Sequence, residues 1–281
     1  MKVALNQSAL ETYPCEEFIR VAGEARFDGV ELQQENVATH LSQGNYKTLL
    51  EALESYQLKV AAINTLKDFN LCSDYDFNSR ISPQLQFMCE IAYKLEANLL
   101  IAEPSFLRED ANPNEVKEEK IIFRTQKRLK EIANLAGKQD IEVGVEFLGF
   151  PRSSIRTLAI ATKIVNPLYE KLENVGNVID TFHFTISNSH LNDIFGISRL
   201  SLVRLSDLSY TPNEDLSLKK DQDRLPPGEG LFNFPHFFTI LRTIKYTNFW
   251  SIKVFDDNKL EKSIIESVKK ACDYIRKLGI Q

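Results

Sequence analysis

The 281-residue chain has no apolar run near the ~18 residues of a membrane span, which excludes a helical integral membrane protein. Met1-Lys2-Val3-Ala4-Leu5-Asn6 runs straight into Gln7-Ser8, so no h-region forms and no secretory leader is expected. Cysteine is sparse. Cys15, Cys72, Cys89 and Cys272 form no C-x-x-C pair, and no Cys/His cluster has zinc-finger spacing. They read as reduced thiols of a cytoplasmic protein. Histidine is limited to His40, His183, His190 and His236. No basic cluster exists, and 34 Lys+Arg against 39 Asp+Glu give a net charge of -5, so nucleic acid is not an expected partner. Neither G-x-G-x-x-G nor a Walker A pattern occurs, which leaves nucleotide folds without support. No Pro-, Gly- or Ser-rich linker and no low-complexity tract divides the chain, so residues 1–281 are expected to form one domain.

What is present is ordinary globular composition, 43 % hydrophobic and 26 % charged. Short β-rich runs alternate with amphipathic stretches. Strands are expected at Lys2–Asn6, Gly29–Gln33, Lys59–Asn64, Asn98–Glu103, Ile141–Phe147, Val175–Thr181, Ser201–Leu205 and Phe249–Phe255. Helices are expected at Pro14–Arg26, where Pro14 suits a first turn and Phe18, Val21, Ala22 and Ala25 share a face, and at Tyr46–Tyr56. Others are expected at Ser82–Leu95, opened by Ser-Pro, at 115–138 and at Thr157–Glu173, which Pro167 should kink or split. A short helical segment at Leu191–Phe195, helices at Asn233–Lys245 and 260–278, and a polar loop from Ser206 to Gly230 complete the chain. Eight strand–helix units of about 35 residues, without a phosphate fingerprint, predict an α/β fold: a single (β/α)8 TIM barrel.

In such a barrel the chemistry sits at the C-terminal ends of the strands. The polar residues there, in order, are Asn6, Glu31 with Gln33, Asn64, Glu103, Glu146, Asp180 with His183, Arg204 with Asp207, and Lys253. Charges pointing into one mouth must pair or meet water. The aromatics Phe147, Phe150, Phe182, Phe184, Phe232 and Trp250 read mainly as core, and the 210–222 loop as a cover for the mouth.

The runs Gly144–Gly149 (GVEFLG), Ile179–Phe184 (IDTFHF) and Asp223–Gly230 (DRLPPGEG) follow one another in that order. Together they resemble the xylose-isomerase-like TIM barrels, the sugar phosphate isomerase/epimerase superfamily, and within it the inosose (2-keto-myo-inositol) isomerases. The resemblance implies proton transfer next to a carbonyl, assisted by one divalent metal. In that family a Glu, an Asp, a His and a Glu ending strands five to eight hold the metal. Glu146 and Asp180 match the first two, while His183 and Arg224 match substrate-contacting positions.

Two positions depart from the pattern. Arg204 stands where the family has His, and Lys253 stands where it has Glu. The family's ligands carry three negative charges, whereas Glu146 and Asp180 against Arg204 and Lys253 are neutral without a metal. Arginine cannot ligate, and two fixed cations a few Å away oppose a metal. We therefore expect no metal and no cofactor. One function class is isomerase or epimerase chemistry without metal, with Glu146 as base, Arg204 stabilising an oxyanion, and Lys253 as acid/base or Schiff-base nucleophile. Asp180, His183, Arg224, Asn6, Gln33, Asn64 and Glu103 would bind the substrate. The other class is a pseudoenzyme that binds a sugar, polyol or sugar acid, its cations suited to an anion, or one in which Glu146–Lys253 and Asp180–Arg204 pairs plug an unused site. The expected partner is a small sugar, polyol or sugar acid, with neither nucleic acid nor membrane; a homo-oligomer stays open.

Overall fold

The computed structural model describes residues 1–110, 112, 116–255 and 261–280. Eight parallel strands pair in sequence order, and the last pairs with the first to close a barrel. They are β1 (Lys2–Asn6), β2 (Gly29–Gln33), β3 (Lys59–Leu66), β4 (Leu99–Ala102), β5 (Glu142–Glu146), β6 (Val175–Asp180), β7 (Leu200–Leu205) and β8 (Phe249–Ile252). This is the single (β/α)8 barrel that the alternating pattern predicts.

The helices are α1 (Cys15–Glu24), α2 (Gln34–Leu41), α3 (Tyr46–Ser55), α4 (Asp74–Asp76), α5 (Ser82–Lys94), α6 (Glu118–Ala136), α7 (Leu158–Leu172), α8 (Thr181–Ile186), α9 (Phe234–Thr243) and α10 (Glu261–Ile280). Residues 115 and 260, where two helices were expected to begin, lie outside the described residues. Helix α1 buries Phe18, Ile19, Val21 and Ala22, its apolar stripe at spacings of three and four. Among the described residues no helix is long and apolar enough to cross a membrane.

Several local expectations need correction. Pro14 precedes α1 in an extended conformation and does not occupy its first turn. Helix α5 begins at Ser82 with Pro83 in its first turn, as expected, but Ser82 does not cap it: the helical path already runs from Asp74, where the Ser73 side chain accepts from the Asp76 N–H, through a π-turn at Phe77–Ile81. Pro167 does not split α7. Its ring removes the N–H that would reach the Lys163 carbonyl, and Gln126 of α6 donates to that carbonyl at 3.3 Å.

Successive strand residues face opposite ways. The outward set packs on the helices in the main core, while Ala62, Leu99, Ile101, Val178 and Leu202 form a separate small apolar cluster. Two residues further along the same faces stand Asn64, Glu103, Asp180 and Arg204. The period of the strand therefore carries the interior from hydrocarbon to charge within one step.

Candidate functional site

Arg204 crosses the barrel. Its guanidinium leaves β7 and reaches Glu31 of β2 (Nη2 to Oε2, 2.6 Å), Glu146 of β5 (Nη1 to Oε2, 2.6 Å) and the side-chain Oδ1 of Asn64 of β3 (Nη2 to Oδ1, 2.6 Å). Asp180 is its register neighbour on β6, yet the two side chains do not pair. Asp180 instead accepts from Arg224 (Nη1 to Oδ1, 2.8 Å), and its other oxygen lies 3.4 Å from Lys253 Nζ. That same ammonium is 3.7 Å from Glu146 Oε1. The expected Glu146–Lys253 contact is therefore present, and the Asp180–Arg204 pair is replaced by Asp180–Arg224 and Arg204–Glu31. Glu31, Glu146 and Asp180 are balanced by Arg204, Arg224 and Lys253, and all six are buried. Each carboxylate keeps a cation within reach, the condition under which burial of charge is tolerated.

Environment separates the carboxyls. Burial pushes Glu146 up to about 7, against the pull of Arg204 and Lys253. Asp180 is as buried, but Arg224 and Lys253 outweigh desolvation and hold it well below the usual carboxylate range. Burial, followed by Arg224 and Lys253, acts against protonation of His183 and brings it down to about 3, with only Asp180 and Asp221 opposing. Arg224 Nη2 lies 3.2 Å from His183 Nε2. A guanidinium can only donate, so Nε2 is the lone-pair nitrogen and the neutral ring carries its proton on Nδ1. Among the described residues that Nδ1–H has no partner.

Arg224 is fixed on all sides. It donates to Asp180, Ser206 and Asp221, and its plane lies 4.3 Å from the Phe182 ring. The Pro-rich loop that carries it is built by Asp207, whose carboxylate accepts from the N–H groups of Leu208, Gly228 and Phe232. Gly228 has φ +92, and a Cβ on Gly230 would meet Asp207 Oδ1 at 2.4 Å, so the two glycines of the Pro-Pro-Gly-Glu-Gly run have steric reasons.

Above this network opens a cavity of about 500 Å³. Asn6, Gln33, Asn64, Glu103, His183, Arg204 and Lys253 line it, seven of the residues the sequence singles out. Glu146, Asp180 and Arg224 do not reach the wall; they lie fully buried beneath it. Arg224 and Asp180, expected at the substrate, and Glu146, expected as base, thus stand one layer of side chains below the cavity wall. Phe106, Phe150 and Phe255 give the cavity an apolar side, and amides and hydroxyls from β1 to β3 give it a polar one. Asp221 also lines it and was not anticipated. Glu31 was visible at a strand end but not placed in the site. Its inward register in Gly29–Gln33 was the available signal.

Residues 19–280 match the model of the xylose isomerase-like TIM barrel family, and the chain belongs to that family. The inosose isomerase of Halalkalibacterium halodurans is 26 % identical over 277 residues, 97 % of this chain and 94 % of that protein. The IolI protein, solved with a zinc atom bound, superposes with a TM-score of 0.89 at 22 % identity, covering 99 % of both chains. D-psicose 3-epimerase from Clostridium cellulolyticum H10, solved with D-tagatose, gives 0.81 at 15 % identity, again over 99 % of both.

Proposed function

We propose that this protein is a sugar or inosose isomerase/epimerase that moves a proton next to a carbonyl without a divalent metal. One observation carries the reading: the Lys253 ammonium lies between Glu146 and Asp180 in the wall of the cavity. Glu146, Asp180 and His183 offer ligand atoms within 4.8 Å of one another. On this reading they do not fit a metal. The ammonium takes the space between the carboxylates, Arg204 and Arg224 take one oxygen of each, and His183 Nδ1 holds a proton rather than a lone pair. The inosose isomerase relatives and the fold shared with a sugar epimerase support the substrate class.

A keto-polyol would place its carbonyl oxygen against Lys253 and Arg204, whose N–H groups hold the charge of the enediolate. Glu103 stands in the same wall and takes the proton from the adjacent carbon, then delivers it to the former carbonyl carbon as the neighbouring hydroxyl gives up its proton to become the new carbonyl. Glu146, behind Lys253 and poised near neutrality, lends the lysine a proton as the ammonium gives one to the enediolate oxygen, and takes it back when the second oxygen releases its own. His183 Nδ1–H is left to bind a hydroxyl. The four cysteines are free thiols, in keeping with a cytoplasmic placement.

The test is deuterium wash-in beside the carbonyl of 2-keto-myo-inositol in D2O, followed by NMR. Exchange should persist in excess chelator and fall at least ~100-fold in Lys253→Met, the scale of lost acid–base catalysis. Exchange that stops with chelator and returns with added metal overturns the reading. A second reading, a non-catalytic binder of a sugar or polyol, is favoured by the commitment of Arg204 and Lys253 to carboxylates. Binding of the same compound with no exchange would select it.

A further inference from the structure

Beside the mouth lies a second cavity of about 590 Å³, over the loops that follow β1 and β2. Glu11 and Asn36 line both cavities, and Asn36 Nδ2 donates to the Glu11 carbonyl at 2.9 Å, so one pair of residues forms the shared wall. The mouth alone has room for one six-membered polyol ring, since ligand pockets begin near ~300 Å³. The second cavity is therefore space that a single ring does not need.

Its lining defines what it would take. Thr12, Tyr13 and Gln43 line it with two hydroxyls and an amide, while the hydroxyls of Thr39 and Thr48, also in the lining, donate to the Glu35 and Asn45 carbonyls. Among the described residues no Lys or Arg lines it, while Glu11 and Glu16 do. His40 is engaged: its Nε2 lies 3.1 Å from the Asn45 carbonyl and 3.0 Å from Thr48 Oγ1, and its Nδ1 faces Glu16 at 3.8 Å. An anionic group would meet two carboxylates there and, among the described residues, no Lys or Arg. An uncharged sugar ring would set its C–H face against the apolar part of the lining, which includes Tyr13 and Pro14, and its hydroxyls toward Thr12, Gln43 and the two carboxylates.

We infer that the second cavity is a glycosyl subsite, so that the protein takes a polyol or keto-polyol bearing an uncharged sugar ring. The inference rests on the sugar-binding reading of the mouth and adds to it the size of the ligand.

Calorimetry on the full chain tests it with three probes: myo-inositol, its galactoside galactinol, and myo-inositol 1-phosphate. Galactinol should bind at least ten-fold more tightly than myo-inositol, and the phosphate no more tightly than myo-inositol. Thr39→Arg should erase the galactinol advantage and leave myo-inositol binding unchanged, because the new guanidinium can reach across the second cavity toward Glu16. Thr39→Ala should keep most of the advantage and serves as the folding control. Binding of myo-inositol without a gain for galactinol overturns the subsite alone. A galactinol advantage untouched by Thr39→Arg, or tighter binding of the phosphate than of galactinol, also overturns it. If neither neutral probe binds, the sugar reading of the mouth falls and the subsite falls with it.

Discussion

The barrel interior holds two adjacent layers that obey different rules. Ala62, Leu99, Ile101, Val178 and Leu202 meet as hydrocarbon, and their contribution is roughly proportional to area removed from water. One step along the same strand faces, Glu31, Glu146 and Asp180 meet Arg204, Arg224 and Lys253. The apolar layer tolerates the loss of any one member at moderate cost. The charged layer does not, because removing one ion strands its partner in a dry place. Local stability is thus additive in one layer and mutual in the other.

Arg204→Met tests that contrast most severely. It leaves both Glu31 and Glu146 without their main partner and should destabilise the protein by ~3–5 kcal/mol, read from the urea midpoint. Lys253→Met should cost ~3 kcal/mol at pH 8 and measurably less at pH 6. Glu146 can take a proton in place of the lost ammonium, an escape that Asp180, held low by Arg224, does not have. Equal losses at the two pH values would show that Glu146 does not titrate in this range.

The unmodified protein carries the same signature. The folded Glu146 carboxyl titrates near 7 against an ordinary 4.5, so between those values the folded state holds a proton the unfolded chain has released. Stability should fall as pH rises through that window, by at most ~1.4 kcal/mol per unit. Glu146→Gln should flatten the slope. Asp180 acts with the opposite sign: its contribution is present above its unfolded value near 3.8 and is lost as pH falls further toward its folded value. The smallest effect belongs to the hydrocarbon layer, where Ile101→Val should cost about 1 kcal/mol and vary with neither pH nor salt. A salt-dependent cost there would mean that the two layers are coupled.

Much of the fold was legible because closed parallel sheets advertise themselves as short apolar runs between amphipathic stretches. The missed pieces had weak local signals. Helix α2, Gln34–Leu41, buries only Gln34 and Val37 and leaves β2 without an intervening loop. Helix α8, Thr181–Ile186, is written in aromatic and β-branched residues that favour strands, and it forms because Asp180 caps it by accepting from the Phe182 N–H. In the site, strand-end position gave the cast but not the pairing. Arg204 and Glu31 are separated by 173 positions, and nothing local says that a guanidinium on β7 will pass its register neighbour Asp180 to reach β2. The depth of each group is equally hidden in the sequence: nothing local separates Glu103 and Lys253, which line the cavity, from Glu146, Asp180 and Arg224, which lie beneath it.

The cross-barrel reach of Arg204 also bears on how such a sequence can change by descent. With three buried carboxylates facing three cations, exchanging Arg204 for His alone strands one negative charge, and exchanging Lys253 for Glu alone strands two. Both exchanges together leave three, a surplus that a divalent ion would reduce to one. By this count the Arg204 exchange alone leaves the same surplus of one as the metal-filled barrel, whereas the Lys253 exchange alone leaves two until an ion arrives. A route between a lysine-centred and a metal-centred barrel is therefore less strained when Arg204 changes first, and the Lys253 exchange is the step that calls for the ion.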